Sequence, residues 1–280
     1  MSAGITHLVS IAVDDRRGTR RTFDGLWCSA EAEATSLRRA NKAKCEIWNL
    51  SDEMHAWVCE AKLVDVTIGQ SADDARRGRL FVGDVVGVER RRENRDRVTL
   101  IRAGDAEVAL RSARCSATLG RGATWEQVLG VVSAALGVDV GYRDPALPLT
   151  EPLLEGAVLV GYAAYLLDEV CASIGATWSV RNGALQVLRG ESGGTDETAI
   201  VISETTGMHG SPEPILRRGK LVGVRVVTEA TPWLQPGVPV LIDSEEIYGY
   251  HVVRSAKTKA SNFGTDWATE VETRAVLAGE

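Results

Sequence analysis

Four histidines, five cysteines, the adjacent aspartates Asp14 and Asp15, one Gly-x-Gly step and one arginine-dense run are the residues of this chain weighed first for chemistry. Metal ligation from one helix asks for histidines at i, i+4, and His7, His55, His209 and His251 offer no such pair among themselves. His7 belongs to an otherwise apolar strand pattern, where a half-buried imidazole is the ordinary occupant. Cys28, Cys45, Cys59, Cys115 and Cys171 are odd in number, far apart and without a CxxC step, so they read as single buried or half-buried thiols of a reducing compartment. Asp14 and Asp15 would have to converge to share a proton, but neighbours on a strand or turn diverge, and a hairpin tip is their usual place. Gly120-Arg121-Gly122 begins like a dinucleotide fingerprint, yet Trp125 stands where the next glycine belongs, and no GxxxxGK occurs. The expectation is a chain with no catalytic, cofactor-binding or metal-binding residue.

Two further stretches invite a functional reading. The run Glu89-Arg90-Arg91-Arg92-Glu93-Asn94-Arg95-Asp96-Arg97 is the best nucleic-acid candidate. Its interleaved acids, its lack of stacking aromatics and the overall net charge of −6 favour a solvated loop instead. Asn49-Leu50-Ser51 fits the N-glycosylation pattern. The same letters, however, end a β-type run at Ile47-Trp48 and start a helix, with Ser51 as cap and Asp52 and Glu53 at its positive end. Leu8 to Val13 alternates like a strand before any Lys or Arg, so no secretory signal is expected there, and the glycan reading loses with it.

The elements that would position such residues fall into three regions. Lys and Arg against Asp and Glu number 19 to 18 over residues 1–112, 5 to 10 over 113–200 and 8 to 10 over 201–280, so the centre is acidic. The first region shows period-two patterns: Ile5, His7, Val9, Ile11 and Val13 on one face, and Leu80, Val82, Val86 and Val88 on another, with a turn at residues 14–18. Ala113, Cys115, Ala117 and Leu119 alternate likewise. Next come a helix capped by Thr124 and stopped by Gly137, and a second helix expected over Ala157 to Ile174. A two-residue hairpin is expected at Asn182-Gly183, and a linker over 190–197. The longest apolar stretch, from Gly156, is too short to span a bilayer. The last region returns to strands: Val222, Val224 and Val226 alternate, Pro236-Gly237 turns, and Val238–Asp243, Tyr248–Arg254 and Trp267–Val276 follow.

Taken in order, Gly207-Met208-His209-Gly210-Ser211-Pro212-Glu213, Gly223-Val224-Arg225-Val226, Leu234 to Asp243 with its Pro-Gly turn, Tyr248 to Val253 and Gly264-Thr265-Asp266-Trp267 resemble the C-terminal part of baseplate hub proteins of tailed phages. Phe23-Asp24-Gly25 and Ile47 to Ser51 look like that family's first barrel, and the helices with the Asn182-Gly183 hairpin resemble its middle insert. Lys257 to Asn262 stands where many relatives carry a His-Gly-Asp-like turn. The resemblance implies a mainly β fold in which two tube-like β-barrel domains, 1–112 and 201–280, flank an α+β middle domain, 113–200. It implies a structural role rather than an enzyme: a homotrimeric, pseudo-sixfold ring of the virion tail baseplate, assembled in the host cytoplasm. The ring would join a tail tube or distal tail protein to a central spike and pass the tape measure protein and DNA, with no cofactor and no membrane insertion. The equivalent hub of a phage-like injection system or bacteriocin shares this description. A tail-associated cell-wall hydrolase would need a catalytic domain for which the three regions leave no room. A conduit for DNA should carry a lumen of neutral and acidic side chains, with the arginines of 90–97 turned outward or into subunit contacts.

Overall fold

The computed structural model describes residues 7–15, 17–36, 41–70, 73–190 and 198–275. Ile5, Arg16, Val276 and most of the expected linker lie outside them.

The N-terminal β unit comprises β1 (His7–Asp15), β2 (Arg20–Phe23), β3 (Cys28–Thr35), β4 (Lys42–Trp48), α1 (Asp52–Cys59), β5 (Ala61–Gln70), β6 (Asp73–Glu93), β7 (Asp96–Gly104) and α2 (Glu107–Ser112). Its core takes Val9, Ile11 and Val13 from β1, Val64, Val66 and Ile68 from β5, and Ile47 and Ile101, all fully buried. Each such side chain contributes about 1.5–3 kcal/mol on leaving water. Val58 of α1 closes one side. Ser51 caps α1 as expected, its Oγ accepting the Met54 N–H at 3.1 Å. Ser51→Ala is therefore expected to lower the urea-unfolding free energy by about 1 kcal/mol; an unchanged midpoint would remove the cap from the account.

Two expectations for this unit change. The face of Leu80, Val82, Val86 and Val88 is broken by bulges, where the β5–β6 register shifts at Val66/Thr67 and the β6–β7 register at Val85/Gly87. Each extra residue flips the side-chain alternation. Leu80, Phe81, Val85 and Val88 therefore reach the core while Val86 is exposed. The arginine-dense run is a hairpin rather than a loop, with Arg92 opposite Arg97, Glu93 opposite Asp96 and a turn at Asn94-Arg95. Asn94 takes the left-handed conformation there (φ 55°). Asn49, also left-handed, does not cap the helix beside it; its Oδ1 accepts the Arg97 N–H at 3.1 Å and its Nδ2 donates to Asp96 at 3.0 Å. The short helix α2 carried no sequence signal.

The middle unit comprises β8 (Arg114–Leu119), α3 (Trp125–Leu136), β9 (Asp139–Arg143), β10 (Ala157–Tyr162), α4 (Ala163–Ser173), β11 (Ala176–Arg181) and β12 (Ala184–Arg189). Thr124 and Gln127 form a capping box for α3, and Gly137 ends it at φ 69°. Val128, Leu129, Val132 and Leu136 pack it against Leu166, Leu167 and Val170 of α4 and against Trp178, Val180, Leu185 and Val187 of the β11–β12 hairpin. The turn of that hairpin is Asn182 (φ 52°) and Gly183 (φ 79°), as the letters require. The second helix is shorter than expected, since residues 157–162 are strand β10, antiparallel to β8. A short apolar run is ambiguous between helix and strand. Val158-Leu159-Val160 resolves it by alternation, Leu159 buried and both valines exposed.

The C-terminal β unit comprises β13 (Ile200–Ser203), a 3-10 turn (Glu204–Thr206), β14 (Met208–Arg217), β15 (Lys220–Glu229), β16 (Pro239–Asp243), β17 (Tyr248–Ser261) and β18 (Trp267–Ala275). Val224, Val226, Val240, Ile242, Val253 and Val271 form its core. The 14-residue β17 joins the two β units. Its first half pairs with β16, its second half pairs with β3 (Ser255 with Thr35 through Ser261 with Ser29), and β18 runs along both. One 13-stranded sheet results, whose longest path runs β14-β15-β18-β17-β3-β4-β7-β6-β5-β1-β2. Lys257 to Ser261, expected to replace a turn, is part of this shared strand. Asn262 secures its end, donating to Leu26 O at 2.7 Å and accepting the Cys28 N–H at 2.8 Å. Among the described residues no helix is long and apolar enough to cross a membrane.

Candidate functional surface

The residues singled out for chemistry are dispersed. His7 stacks on Trp267 with ring centroids 4.1 Å apart, and burial lowers its pKa. His251, 3% exposed, places Nδ1 3.1 Å from Thr273 Oγ1. His209 is exposed on β14. His55 on α1 sits 3.0 Å from Thr99 Oγ1, and its other ring nitrogen lies 3.6 Å from Cys59 Sγ. The pair mixes residue types at i, i+4 on α1, a signal that histidine spacing alone does not contain. Cys59 is exposed rather than buried, whereas burial pushes the Cys28 and Cys45 thiols up to about 12. Among the described residues no group of three or more His, Cys, Asp or Glu is placed to hold a metal ion. Asp15 accepts the Arg17 and Thr19 N–H groups at 2.7 and 2.8 Å and Trp57 Nε1 at 3.1 Å, while Asp14 turns to Arg20. The two carboxylates thus diverge. Gly120 to Gly122 forms the turn before α3.

What the fold does assemble is a charged sheet face that crosses from one β unit to the other. Residues opposite each other in antiparallel strands share a face, so register alone gives the ladder. Glu270 faces Lys257, Lys257 faces Glu33 and Glu33 faces Lys42; one step along, Lys259 faces Glu31, Glu31 faces Lys44 and Lys44 faces Arg102. The other side of these strands carries small buried residues, Ala30, Ala32, Ala43, Cys45, Ala256 and Ala260. Like-charged pairs two apart (Glu31/Glu33, Lys42/Lys44, Lys257/Lys259), with small residues between them, are the sequence signal that would have revealed this face.

Charge on the ladder is compensated locally. Lys257 Nζ lies 2.7 Å from Glu31 and 2.9 Å from Glu33, which raises the ammonium pKa and lowers that of Glu31. The unfavourable neighbours Lys44 and Arg102 turn apart, Lys44 to Glu46 at 2.8 Å and Arg102 to Glu89. Arg225 extends the pattern on β15 with Glu270 and Glu272 at 3.2 and 2.6 Å. Exposed pairs of this kind contribute only about 0–1 kcal/mol each. Their larger effect is on the field, which they cancel across the face. A groove of about 360 Å3 opens where the face meets α2, between Glu31, Lys42, Arg102 and Glu107.

The arginine hairpin is likewise engaged within the chain. Arg91 reaches Glu46 at 2.9 Å, Arg97 reaches Asp52 at 2.9 Å, and Arg90 holds Asp52 and donates to Leu50 O at 2.9 Å. These contacts lower the Asp52 pKa, Arg90 foremost.

No sequence family matches the chain, and no curated protein does. Solved structures do. The tail protein from Neisseria meningitidis MC58 aligns over 96% of each chain at 12% identity with a TM-score of 0.62. The 43 kDa tail protein of prophage MuSo2 from Shewanella oneidensis aligns over 95% of this chain and 98% of that one, at 9% identity and 0.64. The E. coli c3393 protein, a type VI secretion component described as structurally similar to the T4 bacteriophage tail proteins gp27 and gp5, covers 90% of this chain and 74% of its own, at 11% and 0.61. The fold is thus that of phage tail proteins, mainly β with an α+β insert, as the sequence led one to expect.

Proposed function

We propose that the chain is a structural baseplate hub of a phage tail, a homotrimer whose two β units per copy make a pseudo-sixfold ring between the tail tube and a central spike. The observation that carries this reading is β17, which fuses the two β units into one sheet, in a chain whose whole length follows tail proteins in fold. A second feature supports the repetition. Strand, serine, short helix and long hairpin recur, as β4, Ser51, α1 and β5–β6, and as β13, Ser203, the 3-10 turn and β14–β15; Ser51 Oγ accepts the Met54 N–H, and the Ser203 N–H donates to Thr206 Oγ1. Residues 1–112, 113–200 and 201–280 then act as three domains, each with its own core. Two related but unequal units per copy convert threefold into sixfold symmetry.

In this reading the compensated sheet face is the channel wall. Unpaired cations on such a wall would release counterions from passing DNA and hold it, and the ladder leaves few. The type VI secretion relative favours the hub of a phage-like injection system as the second reading, with the same geometry. Solution mass and electron micrographs of the purified chain test the proposal. Three copies in a ring with an open channel are expected; a single-chain mass at every concentration, or peptidoglycan-degrading activity, would overturn it.

A further inference from the structure

Two exposed surfaces of opposite character remain outside the ladder. The first is the two-stranded ribbon β8–β10, whose strands, among the described residues, pair only with each other. Its outer face presents Val158 and Val160, 72% and 68% exposed, followed by Tyr162 and then Tyr165 of α4, 68% exposed. Leu154, 78% exposed, precedes them. Acids bracket this stripe: Glu151 and Glu155 are exposed before it, and Glu169, one helical turn beyond Tyr165, is exposed after it. Arg114 lies 4.5 Å over the Tyr162 ring and donates to its hydroxyl at 3.1 Å. A contiguous apolar ridge on a ribbon this thin marks an interaction site.

The second surface is the tip of the β14–β15 hairpin. Leu216 and Leu221 stand opposite each other, 61% and 42% exposed, around a turn at Arg218 (φ 52°) and Gly219 (φ 77°). Arg217, Arg218 and Lys220 are exposed beside them, with no acid between Leu216 and Leu221. An apolar pair framed by cations matches an apolar stripe framed by acids in both hydrophobic and electrostatic terms.

We infer that the β14–β15 tip of one copy docks on the β8–β10 face of the next copy, with Leu216 and Leu221 against Val158, Val160 and Tyr165, and the tip cations toward Glu151 and Glu155. This contact joins two different patches, so it is heterologous, the type that builds a ring when its rotation closes. It rests on the homotrimeric hub reading and gives that reading its interface.

The test compares the solution mass of the wild-type chain with those of Leu216→Asp, Val160→Asp and the reversal Arg217→Glu/Arg218→Glu, alone and combined with Glu151→Arg/Glu155→Arg. All these positions are exposed, and circular dichroism would verify folding. The expected result is a wild-type trimer, dissociation to single chains in each apolar variant with association at least about tenfold weaker, and recovery of the trimer when both charge reversals are present. A trimer that persists in Leu216→Asp and Val160→Asp overturns this interface while leaving the trimeric reading intact. A wild-type chain that never associates overturns both.

Discussion

Replacing Gly223 with alanine is expected to disrupt the C-terminal sheet. A Cβ at this position would stand 1.9 Å from the Thr273 carbonyl oxygen and 3.0 Å from its carbonyl carbon, both backbone atoms of β18. They cannot rotate away. Thr273 is also tied to both neighbouring strands, since its Oγ1 accepts the Val224 N–H at 3.1 Å and donates to Val224 O at 3.0 Å on β15 and lies 3.1 Å from His251 Nδ1 on β17. Relief requires β15 to withdraw from β18, which loosens the Arg225–Glu272 and Val226–Val271 pairs and opens the core at Val224 and Val271. Overpacking a core with movable side chains costs about 1–3 kcal/mol, so a clash between two backbones should cost at least about 3 kcal/mol. Urea unfolding decides it: a variant within about 0.5 kcal/mol of the parent would mean that the strands separate freely. The glycine of the Gly-Val step is therefore there because a side chain has no room, not because the turn chemistry needs it.

That step shows how far local letters carry. Elements with local determinants were legible: Thr124 and Gly137 bound α3, Asn182-Gly183 sets its hairpin, and Val222-x-Val224-x-Val226 lies in β15 as its alternation implies. Where the determinant is a distant strand, the sequence was ambiguous or silent. Residues 157–162 are apolar enough for either structure, and β8 as pairing partner decides for strand. The bulges in β6 invert the burial of Val86, and only Gly87, beside the second of them, hints at it in the letters. The arginine hairpin owes its order to Asp52 and Glu46, acids about 40 residues away in the chain.

The candidate surface was legible only in halves. Each strand of the ladder carries its like-charged pair in plain view, but opposite signs meet only because β17 comes beside β3, more than 220 residues earlier. Pairing of that range has a high closure cost and no local signal. The whole-chain resemblance anticipated the outcome through the order of motifs, without revealing the shared strand that produces it.

Asp105 should make the joint between the N-terminal and middle units pH-dependent. It is 2% exposed at the end of β7 and accepts the backbone N–H groups of Asn182 at 2.7 Å and Gly183 at 3.2 Å, gripping the β11–β12 turn. Its own N–H donates to Asn41 O at 2.9 Å, and Asn41 donates in turn to Val180 O at 2.9 Å. Burial pushes this carboxyl from its ordinary value up to about 6, nearby Asp84 adds to the rise, and the donated N–H groups oppose it. Because the folded-state pKa lies above the unfolded one, the folded chain binds the extra proton. The contribution to stability is fully present below pH 3.8 and is lost as pH rises through about 6. The loss amounts to about 3 kcal/mol by neutral pH. Asp105→Asn cannot titrate, and although it gives up one acceptor, that cost is the same at every pH. Urea unfolding at intervals between about pH 3.5 and 7 should therefore show the stability of the parent, measured against Asp105→Asn, falling by up to about 3 kcal/mol as pH rises. A gap that stays flat or widens in favour of the parent would show that the two N–H donors, not burial, govern Asp105. The grip on the hairpin would then tighten with ionisation, and the joint would be firmest at neutral pH.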